Sequence, residues 1–338
     1  LLMGPWTHGE YEVTYAGDSD FGIESHINYN DLKLSWFDHY LKDMDTEVAS
    51  WSKVKFFTMG TGDGNIDYEG RLRRGGYWRT SLDWPLKSTE YKEYYLDRNG
   101  RLTTEILELD NESSSKYTFD PKNPVPTIGG SLSAAAPWLC PGAFDQRADP
   151  DRFIGSNNKL PLNSRDDVLT FQTEELDMDT EVTGPIKVKL WISSSAKDTD
   201  FTVKLIDLFP STDEYVEGLA INITDSIIRT RFRNGWEKEE LMEPGTPYLI
   251  NFDLFPTSNI FKSGHRIRID VSSSNWPRFD VNNNTGGKIG IDKSYICAEQ
   301  TVYHNQIMPS SIVLPIQPSR HLLLPDPSMG HIGSPTGI

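Results

Sequence analysis

From about residue 91 to residue 316, the sequence consists of short apolar or alternating runs separated by Gly, Pro, Asn and Asp. These runs cover residues 91–96, 168–173, 186–193, 202–208, 221–232, 248–254, 266–272 and 311–315. In Ile186–Ile192 and Ile267–Val271 every second residue is apolar, so each run would bury one face as a strand. Many short strands between turn residues predict a mostly antiparallel β-sandwich or jelly roll.

Residues 1–90 have the pattern of an α/β fold. Leu1–Met3 is apolar and runs into Gly4–Gly9, which indicates the end of a buried strand that enters a loop. A strand over Val54–Met59, ended by Gly60, comes later in this part. Between them we predict an amphipathic helix, capped by Ser25 and ending near Lys42, from apolar residues at helical spacing: Tyr29, Leu32, Trp36 and Tyr40, with Phe37 and Leu41 beside them.

Both ends of the chain bear on its organisation. Because chain termini are usually polar, the apolar Leu1–Met3 leads us to expect that the chain is cut out of a longer protein. Residues 1–85 hold too few strands to complete an α/β sheet, so their exposed edge and apolar face should contact a partner. Residues 317–338 are rich in Pro, Gly and Ser, and we predict a tail or an expression remnant.

Composition excludes several functions. The 338 residues carry 49 acidic and 33 basic side chains, a net charge of −16, and show no Lys/Arg stripe, so nucleic acid and anionic membrane surfaces are not expected partners. No run of eighteen apolar residues predicts a membrane span. Cys140 and Cys297 cannot build a disulfide framework or a zinc site. The sequence does not decide the compartment, with the cytoplasm slightly favoured, and it is compatible with a homo-oligomer.

Of the seven histidines, His8 alone lies where catalysis would place one. It follows a short apolar strand and Gly4-Pro5-Trp6, in a loop like the one that presents the catalytic imidazole of an α/β-hydrolase. The alternative is a capping or packing role. The other six favour surface, packing or structural hydrogen-bonding roles, or have no supporting context: His26, His39, His265, His304, His321 and His331. No metal-binding spacing occurs among them, and we expect no metal.

A nucleophile is not apparent in this chain. No Gly-x-Ser-x-Gly is present, and the most similar segment, Gly17–Phe21, lacks the last Gly and is predicted to be a loop. Trp6 could shield the His8 imidazole from water, although packing of the loop is the favoured interpretation. The acidic pairs at 177/179 and 198/200 could bind Ca²⁺, but solvated turns are favoured over a calcium site.

The hexamer Gly4–Gly9 resembles the histidine motif of the CocE/NonD acyl hydrolases. Further segments resemble the same family and occur in the family's order through nearly all of residues 1–316: Trp36–Lys42, Val54–Gly60, Tyr77–Pro85, Asp120–Gly130, Asp145–Arg147, Arg165–Leu169, Val182–Gly184, Ser193–Phe201 and Ser272–Gly286.

The resemblance implies an α/β-hydrolase remnant over residues 1–90, followed by a galactose-binding-like jelly roll over 91–316. In this family the nucleophilic serine, the catalytic aspartate and the oxyanion tyrosine precede the histidine, so only His8 carries over. The implied function is a Ser-His-Asp acyl hydrolase of small esters or amides, without a cofactor, whose missing N-terminal hydrolase segment is a partner. We therefore expect this chain alone to be inactive. The pocket lining stays unassigned, because the matching loop, Gly129–Asp145, departs from the family pattern.

Three alternatives remain at this point. The protein could be an X-Pro dipeptidyl peptidase or an α-amino-acid ester hydrolase, which share the implied chemistry and differ in the pocket. It could also be a non-catalytic carbohydrate-binding or docking β-sandwich.

Overall fold

The computed structural model describes residues 1–105, 113–134 and 138–318, and β-strand is their main regular secondary structure. Of the predicted tail, residues 317–338, the structure describes only residues 317 and 318. The helix is α1 (Tyr29–Lys42). The strands are β1 (Leu2–Met3), β2 (Tyr15–Ala16), β3 (Ser19–Asp20), β4 (Val54–Met59), β5 (Leu72–Arg73), β6 (Gly76–Ser81), β7 (Glu90–Asp97), β8 (Arg101–Thr103), β9 (Ser114–Phe119), β10 (Leu169–Gln172), β11 (Thr180–Ser194), β12 (Asp200–Leu208), β13 (Ala220–Arg229), β14 (Tyr248–Phe261), β15 (Arg266–Ser272), β16 (Ala298–Tyr303) and β17 (Ser311–Ile316).

Most of these strands join one large, mainly antiparallel sheet. Its order is β1-β4-β14-β11-β17-β7-β8-β10-β15-β12-β13, with β6 paired to β4 and with β16 paired to both β11 and β9. The longest ladder joins β11 to β14 and runs from Thr180↔Phe261 to Ile192↔Tyr248. A register shift between Gly184 and Ile186 interrupts this ladder. The sequence predicted strands at β4, β7, β10 to β15 and β17 but not at β9 or β16, and the order of the strands depends on pairings between distant residues.

One apolar core holds the β region, which we define as residues 90–318. Strands from both halves of the sheet contribute fully buried side chains to it, including Phe119, Phe171, Phe201, Leu205 and Ile250. On β11 and β15 the predicted alternating positions are buried, as one apolar face of each strand requires. The core accounts for the stability of this region, because apolar burial is the dominant favourable contribution to folding.

A second, smaller core lies under the segment from Val125 to Val168. Val125, Ile128, Phe144 and Phe153 are buried there together with Leu162. This segment has little regular secondary structure, and its described residues are 125–134 and 138–168. The predicted loop Gly129–Asp145 belongs to it, and residues 135–137 of that loop lie outside the described residues.

The N-terminal region, residues 1–89, differs from two predictions. Helix α1 begins at Tyr29 rather than near Ser25, because Asn28 is the cap and its side chain accepts a hydrogen bond from the Asp31 amide. Ser25 instead ends a 3₁₀ turn, Ile23–Ser25, where it is buried. The helix ends at Lys42 as predicted, but none of its residues is buried. The predicted apolar face is therefore open: Trp36, Tyr40 and Leu41 are all exposed.

Buried polar groups join the N-terminal region to the β region. Arg74 donates to the Asp207 carboxylate at 2.6 Å and to the Asn259 side-chain oxygen at 2.7 Å. Arg79 forms an ion pair with the buried Glu181. Strand β4 also meets β14 in a parallel pairing. The two regions are thus joined by charge pairs and backbone contacts, whereas the large apolar core lies within the β region.

Across residues 1–105, 113–134 and 138–318, no helix combines the length and the apolar character needed for a transmembrane span.

Candidate functional site

His8 lies on an exposed turn directly after strand β1. That strand pairs in parallel with β4, with Leu2 opposite Lys55 and Met3 opposite Phe56. The turn is closed by the Glu10 amide, which donates to the Thr7 carbonyl at 3.3 Å. The buried Thr7 also donates from Oγ1 to a Glu10 carboxylate oxygen at 2.5 Å. The loop position is the one expected from the sequence, and the catalytic role of His8 stays a prediction.

The His8 ring is accessible from solvent. It is exposed, and within the described residues it has no hydrogen-bond partner. An imidazole acts as a general base only when one ring nitrogen can reach the proton that it removes. The exposed ring of His8, in the loop that follows β1, is accessible to such a group.

Trp6, two residues before His8, anchors the loop. Its indole N–H donates to the Ser25 carbonyl at 2.7 Å, and its ring lies 5.5 Å from that of Trp78. Tyr11 approaches Trp6 edge-on at 5.7 Å. Phe21, Phe57 and Trp78 form a small buried cluster with Ala16, against which Trp6 packs. These contacts confirm that Trp6 packs the loop.

Lys55 is the charged group beside this aromatic cluster. Its ammonium lies 5.2 Å from the centre of the Trp78 ring, a cation–π distance. Burial lowers the pKa of Lys55 below its ordinary value, because the charged form loses hydration. The His8 loop therefore begins beside a partly buried cation.

Two histidines of the β region have structural contacts. His265 lies 2.8 Å from the Asp207 carboxylate through Nδ1, which confirms the structural hydrogen bond predicted for it. His304 lies between the hydroxyls of Ser113 and Ser115, at 2.8 and 2.9 Å. Burial lowers the pKa of His304, which favours its neutral form.

The other histidines that the structure describes, His26 and His39, show no contact that indicates a catalytic or metal-binding role. His39 lies 3.2 Å from the Met44 carbonyl through Nδ1, and His26 is exposed. His321 and His331 lie outside the described residues.

The structure does not present Ser19 as a nucleophile. Ser19 is the serine of Gly17–Phe21, the segment most similar to Gly-x-Ser-x-Gly. The prediction of a loop there was wrong, because Ser19–Asp20 forms strand β3, which pairs with Tyr15–Ala16. The Ser19 side chain is fully buried. A buried hydroxyl cannot reach a substrate, so Ser19 is excluded as the partner of His8.

Three of the four acidic side chains considered for calcium pair with cationic side chains. The solvated turn predicted at 198/200 was wrong, because Asp198 and Asp200 are buried. Asp198 accepts from Arg231 at 2.8 Å, and Asp200 accepts from Arg229 at 2.9 Å. Asp179 pairs with Lys262 at 2.9 Å. In the described part of the chain, no group of three or more His, Cys, Asp or Glu side chains could hold a metal ion.

Among the groups of the β region whose pKa is shifted by burial are Asp200 and Lys204. Burial raises the pKa of Asp200 to about 6, against the opposing effect of Arg229. Burial lowers the pKa of Lys204 to about 8, although Asp225 and Asp270 oppose the shift. The Lys204 ammonium donates to the Gln146 side-chain oxygen at 3.0 Å. Both groups lie inside the β region rather than in the His8 turn.

Sequence reasoning missed the residues that hold the His8 turn in place. Trp78 donates from its indole N–H to the Glu24 carbonyl at 2.6 Å, next to the carbonyl that Trp6 uses. No local pattern connects Trp78 to His8, because their proximity depends on the pairing of β4 with β6. The contact of Thr7 with Glu10 had a local signal, since a hydroxyl and a carboxylate three residues apart is a common turn pattern.

Comparisons with known proteins extend over most of the chain. Residues 46–313 match the family model described as the X-Pro dipeptidyl-peptidase C-terminal non-catalytic domain. Cocaine esterase of Rhodococcus sp. (strain MB1 Bresler) is 36% identical over 330 residues, which cover 94% of this chain and 51% of that protein. The His8 turn lies outside the matched range of the family model.

Two solved structures have the same fold over 94% of this chain. The aminopeptidase from the marine sediment archaeon Thaumarchaeota archaeon is 25% identical, with a TM-score of 0.74, and the match covers 49% of that chain. A selenomethionine-labelled α-amino acid ester hydrolase is 26% identical, with a TM-score of 0.70, and 50% of it is covered. The chain therefore spans about half the length of these relatives.

Proposed function

This chain belongs to the CocE/NonD family of hydrolases, and on that premise we propose that it is the carboxyl-terminal part of a serine acyl hydrolase acting on carboxylic esters or amides. The single observation that carries the proposal is the His8 turn. An exposed imidazole, with no hydrogen-bond partner in the part of the chain that the structure describes, follows a strand that lies parallel to its neighbour, inside the hexamer that resembles the family's histidine motif. The relatives, whose names include an esterase, an aminopeptidase and an ester hydrolase, agree with this class of reaction.

His8 would act as the general base. Its neutral imidazole removes the proton of a serine hydroxyl as the oxygen attacks the substrate carbonyl, and it then donates that proton to the leaving group. In the second half of the cycle the same imidazole removes a proton from water, which attacks the acyl-enzyme carbonyl. The proton then returns to the serine oxygen as the carboxylic acid leaves. A carboxylate on the other ring nitrogen holds the tautomer. We assign neither the serine nor this carboxylate to residues of this chain.

The proposal assigns residues 1–90 to the end of an α/β-hydrolase domain and residues 91–316 to a jelly roll of the galactose-binding-like type. Two observations support a hydrolase segment as the partner of the N-terminal region. Within the described residues β1 has β4 as its single sheet neighbour, so its outer edge is open. Helix α1 of the same region exposes Trp36, Tyr40 and Leu41. Apolar faces of this kind mark contact surfaces.

Burst kinetics with an activated ester test the proposal. We expect no burst from the 338-residue chain alone, and one acyl group per molecule from the parent protein that contains the hydrolase segment. His8→Ala in that parent should lower the turnover number about 10⁴-fold or more, because the base and the nucleophile act as a unit. His26→Ala is the matched control and should leave turnover unchanged, since His26 is exposed outside the turn.

Two results would contradict the proposal. One is a stoichiometric burst from the 338-residue chain alone. The other is full activity of the His8→Ala parent.

The name of the matched family model favours X-Pro dipeptidyl peptidase activity as a second candidate. The acyl-enzyme chemistry is the same, and only the pocket selects the substrate. A panel of simple esters and X-Pro dipeptide amides, compared by kcat/KM, separates the two. A preference for X-Pro amides above all esters would favour the peptidase.

A further inference from the structure

The indole N–H groups of Trp6 and Trp78 bind neighbouring carbonyls of one 3₁₀ turn. Trp6 donates to Ser25 at 2.7 Å and Trp78 donates to Glu24 at 2.6 Å. The two rings lie 5.5 Å apart at 46°. We refer to Trp6, Trp78 and the carbonyls of Glu24 and Ser25 as the indole clamp.

The indole clamp is fixed to the body of the molecule. Ser25 is fully buried, and its hydroxyl donates to the Gly22 carbonyl at 2.8 Å. Trp78 lies on β6 opposite Phe57 of β4, and these two rings meet edge-to-face at 5.3 Å. The clamp therefore connects Trp6 to a paired strand and to a buried turn.

Gly4 leaves room for the clamp. A Cβ atom at this residue would lie 2.5 Å from Cζ2 of the Trp6 ring, a separation that real side chains do not reach. The indole therefore folds back over the backbone of Gly4, and only glycine fits beneath it. This contact gives a physical reason for Gly-Pro-Trp in front of the histidine.

The clamp and the closed turn hold the backbone of His8 from both sides. Trp6 fixes the chain two residues before His8, and the Thr7–Glu10 contacts close the turn after it. Because the imidazole has no partner within the described residues, these contacts act on the backbone of His8 and so on the point from which its ring reaches out. A general base displaced by about 1 Å can lose about 100-fold in rate.

We propose that Trp6 is a positioning residue for His8, and that its indole N–H, bonded to the Ser25 carbonyl, holds the catalytic turn in its working geometry. This proposal rests on the function proposed above. It differs from simple packing because it requires the hydrogen bond and not only the bulk of the ring.

The test compares four variants of the parent protein with an activated ester. Trp6→Phe removes the N–H donor, and replacement of Trp6 by 3-benzothienylalanine removes the donor but keeps the shape of the ring. For both we expect kcat to fall about 10-fold to 100-fold, with KM changed less than about twofold. Trp236→Phe, an exposed tryptophan, is the matched control and should leave both constants unchanged. His8→Ala reports on the function itself.

Local order is measured separately in the 338-residue chain. Amide hydrogen exchange at Glu10, which closes the turn, should become about 10-fold faster in Trp6→Phe, while the melting temperature stays within about 2 °C of the unsubstituted chain.

Each outcome bears on the proposal. If His8→Ala is inactive and the benzothienyl variant retains full kcat, positioning through the N–H is wrong and the proposed function stands. If His8→Ala is fully active, both proposals are wrong. A drop in melting temperature with unchanged kcat would also overturn positioning, since it would show that Trp6 only stabilises the fold.

Discussion

The N-terminal region and the β region are stabilised in different ways. The β region has a continuous apolar core to which strands β7 to β17 contribute, with side chains such as Phe201 and Leu205 fully buried. The N-terminal region has small clusters, such as that of Phe21, Phe57 and Trp78, and a helix with no buried residue. One of its attachments is the ion pair between Arg74 and Asp207, buried against the β region.

This difference separates the region that supplies most of the buried apolar surface from the region that carries the proposed base. The β region can bury enough apolar surface to fold as a unit, since folding is driven mainly by such burial. The N-terminal region carries the His8 turn and leaves an apolar helix face open. The loop that carries the proposed base lies on a region that depends on its contacts, and those contacts must be specific. Buried charge pairs satisfy this requirement because a shifted register leaves them unpaired.

The largest effect is expected at the contact between the regions. Arg74→Met leaves the buried Asp207 without the cation that bonds it at 2.6 Å and leaves the Asn259 oxygen without its donor. Removing one partner of a buried pair costs about 3–5 kcal/mol, because the remaining charge stays buried. Urea unfolding followed by circular dichroism measures the loss. Arg73→Met, which breaks the exposed pair with Asp63, is the control and should cost about 1 kcal/mol or less. Equal losses would show that the charge pair does not join the regions.

The sequence was sufficient for the elements that depend on local pattern. Arg266–Ser272 was predicted with both ends correct, because strict alternation and the preceding Gly264 mark it. Strands β9 and β16 were missed, since Ser114–Phe119 and Ala298–Tyr303 are polar at many positions and become strands by pairing with each other. The start of α1 was wrong because Ser25 and Asn28 are both good caps, and tertiary contacts bury the first.

The candidate site likewise has a part that local sequence predicts and a part that depends on the fold. His8 was predicted as a site residue because Gly-Pro-Trp and an apolar strand precede it in the chain, and its role stays a prediction. Trp78 was not found, since it reaches the turn from β6 through a pairing of distant strands. Sequence order gives the chemistry of a loop, whereas the residues that hold the loop depend on the fold.

The next effect should arise in the core of the β region. Leu205→Ala removes a fully buried side chain from β12 and should lower the free energy of unfolding by about 2–5 kcal/mol, through lost burial and the cavity that remains. Leu41→Ala, on α1, removes the same atoms from a side chain that is 74% exposed and should change stability by no more than about 0.5 kcal/mol. The two midpoints in urea give the comparison. If Leu41→Ala were as destabilising as Leu205→Ala, the helix face would be buried in solution.

A smaller effect depends on pH and belongs to the β region alone. The pKa of Lys204 is lowered from 10.5 to about 8, so the unfolded chain binds a proton at this residue that the folded chain has lost between these values. Stability should therefore rise with pH from about 8 to 10.5, by up to about 1.4 kcal/mol per pH unit, and the contribution is lost as pH falls through 8.

Lys204→Met tests this linkage, because it leaves the charges that face the ammonium in place: Asp225, Asp270, Arg268 and Arg278. The slope of unfolding free energy against pH should decrease in this variant relative to the unsubstituted chain. Lys197→Met, at an exposed residue, should keep the slope. An unchanged slope in Lys204→Met would mean that the ammonium is hydrated in the folded state.

The smallest effect on stability is expected on the open face of α1, where binding should change instead. Leu41→Glu places a charge on a side chain that is already in water, so unfolding of the 338-residue chain should shift by no more than about 0.5 kcal/mol. If the face contacts the hydrolase segment that we propose, the same charge must be buried on binding, and a segment supplied as a separate polypeptide should bind at least about 10-fold more weakly. Ile307→Glu, at a residue of the β region that is 69% exposed, is the control and should leave binding unchanged. Titration calorimetry with both variants distinguishes a contact face from an apolar surface that remains in water. Only if the face of α1 is a contact face will Leu41→Glu bind the segment more weakly than Ile307→Glu.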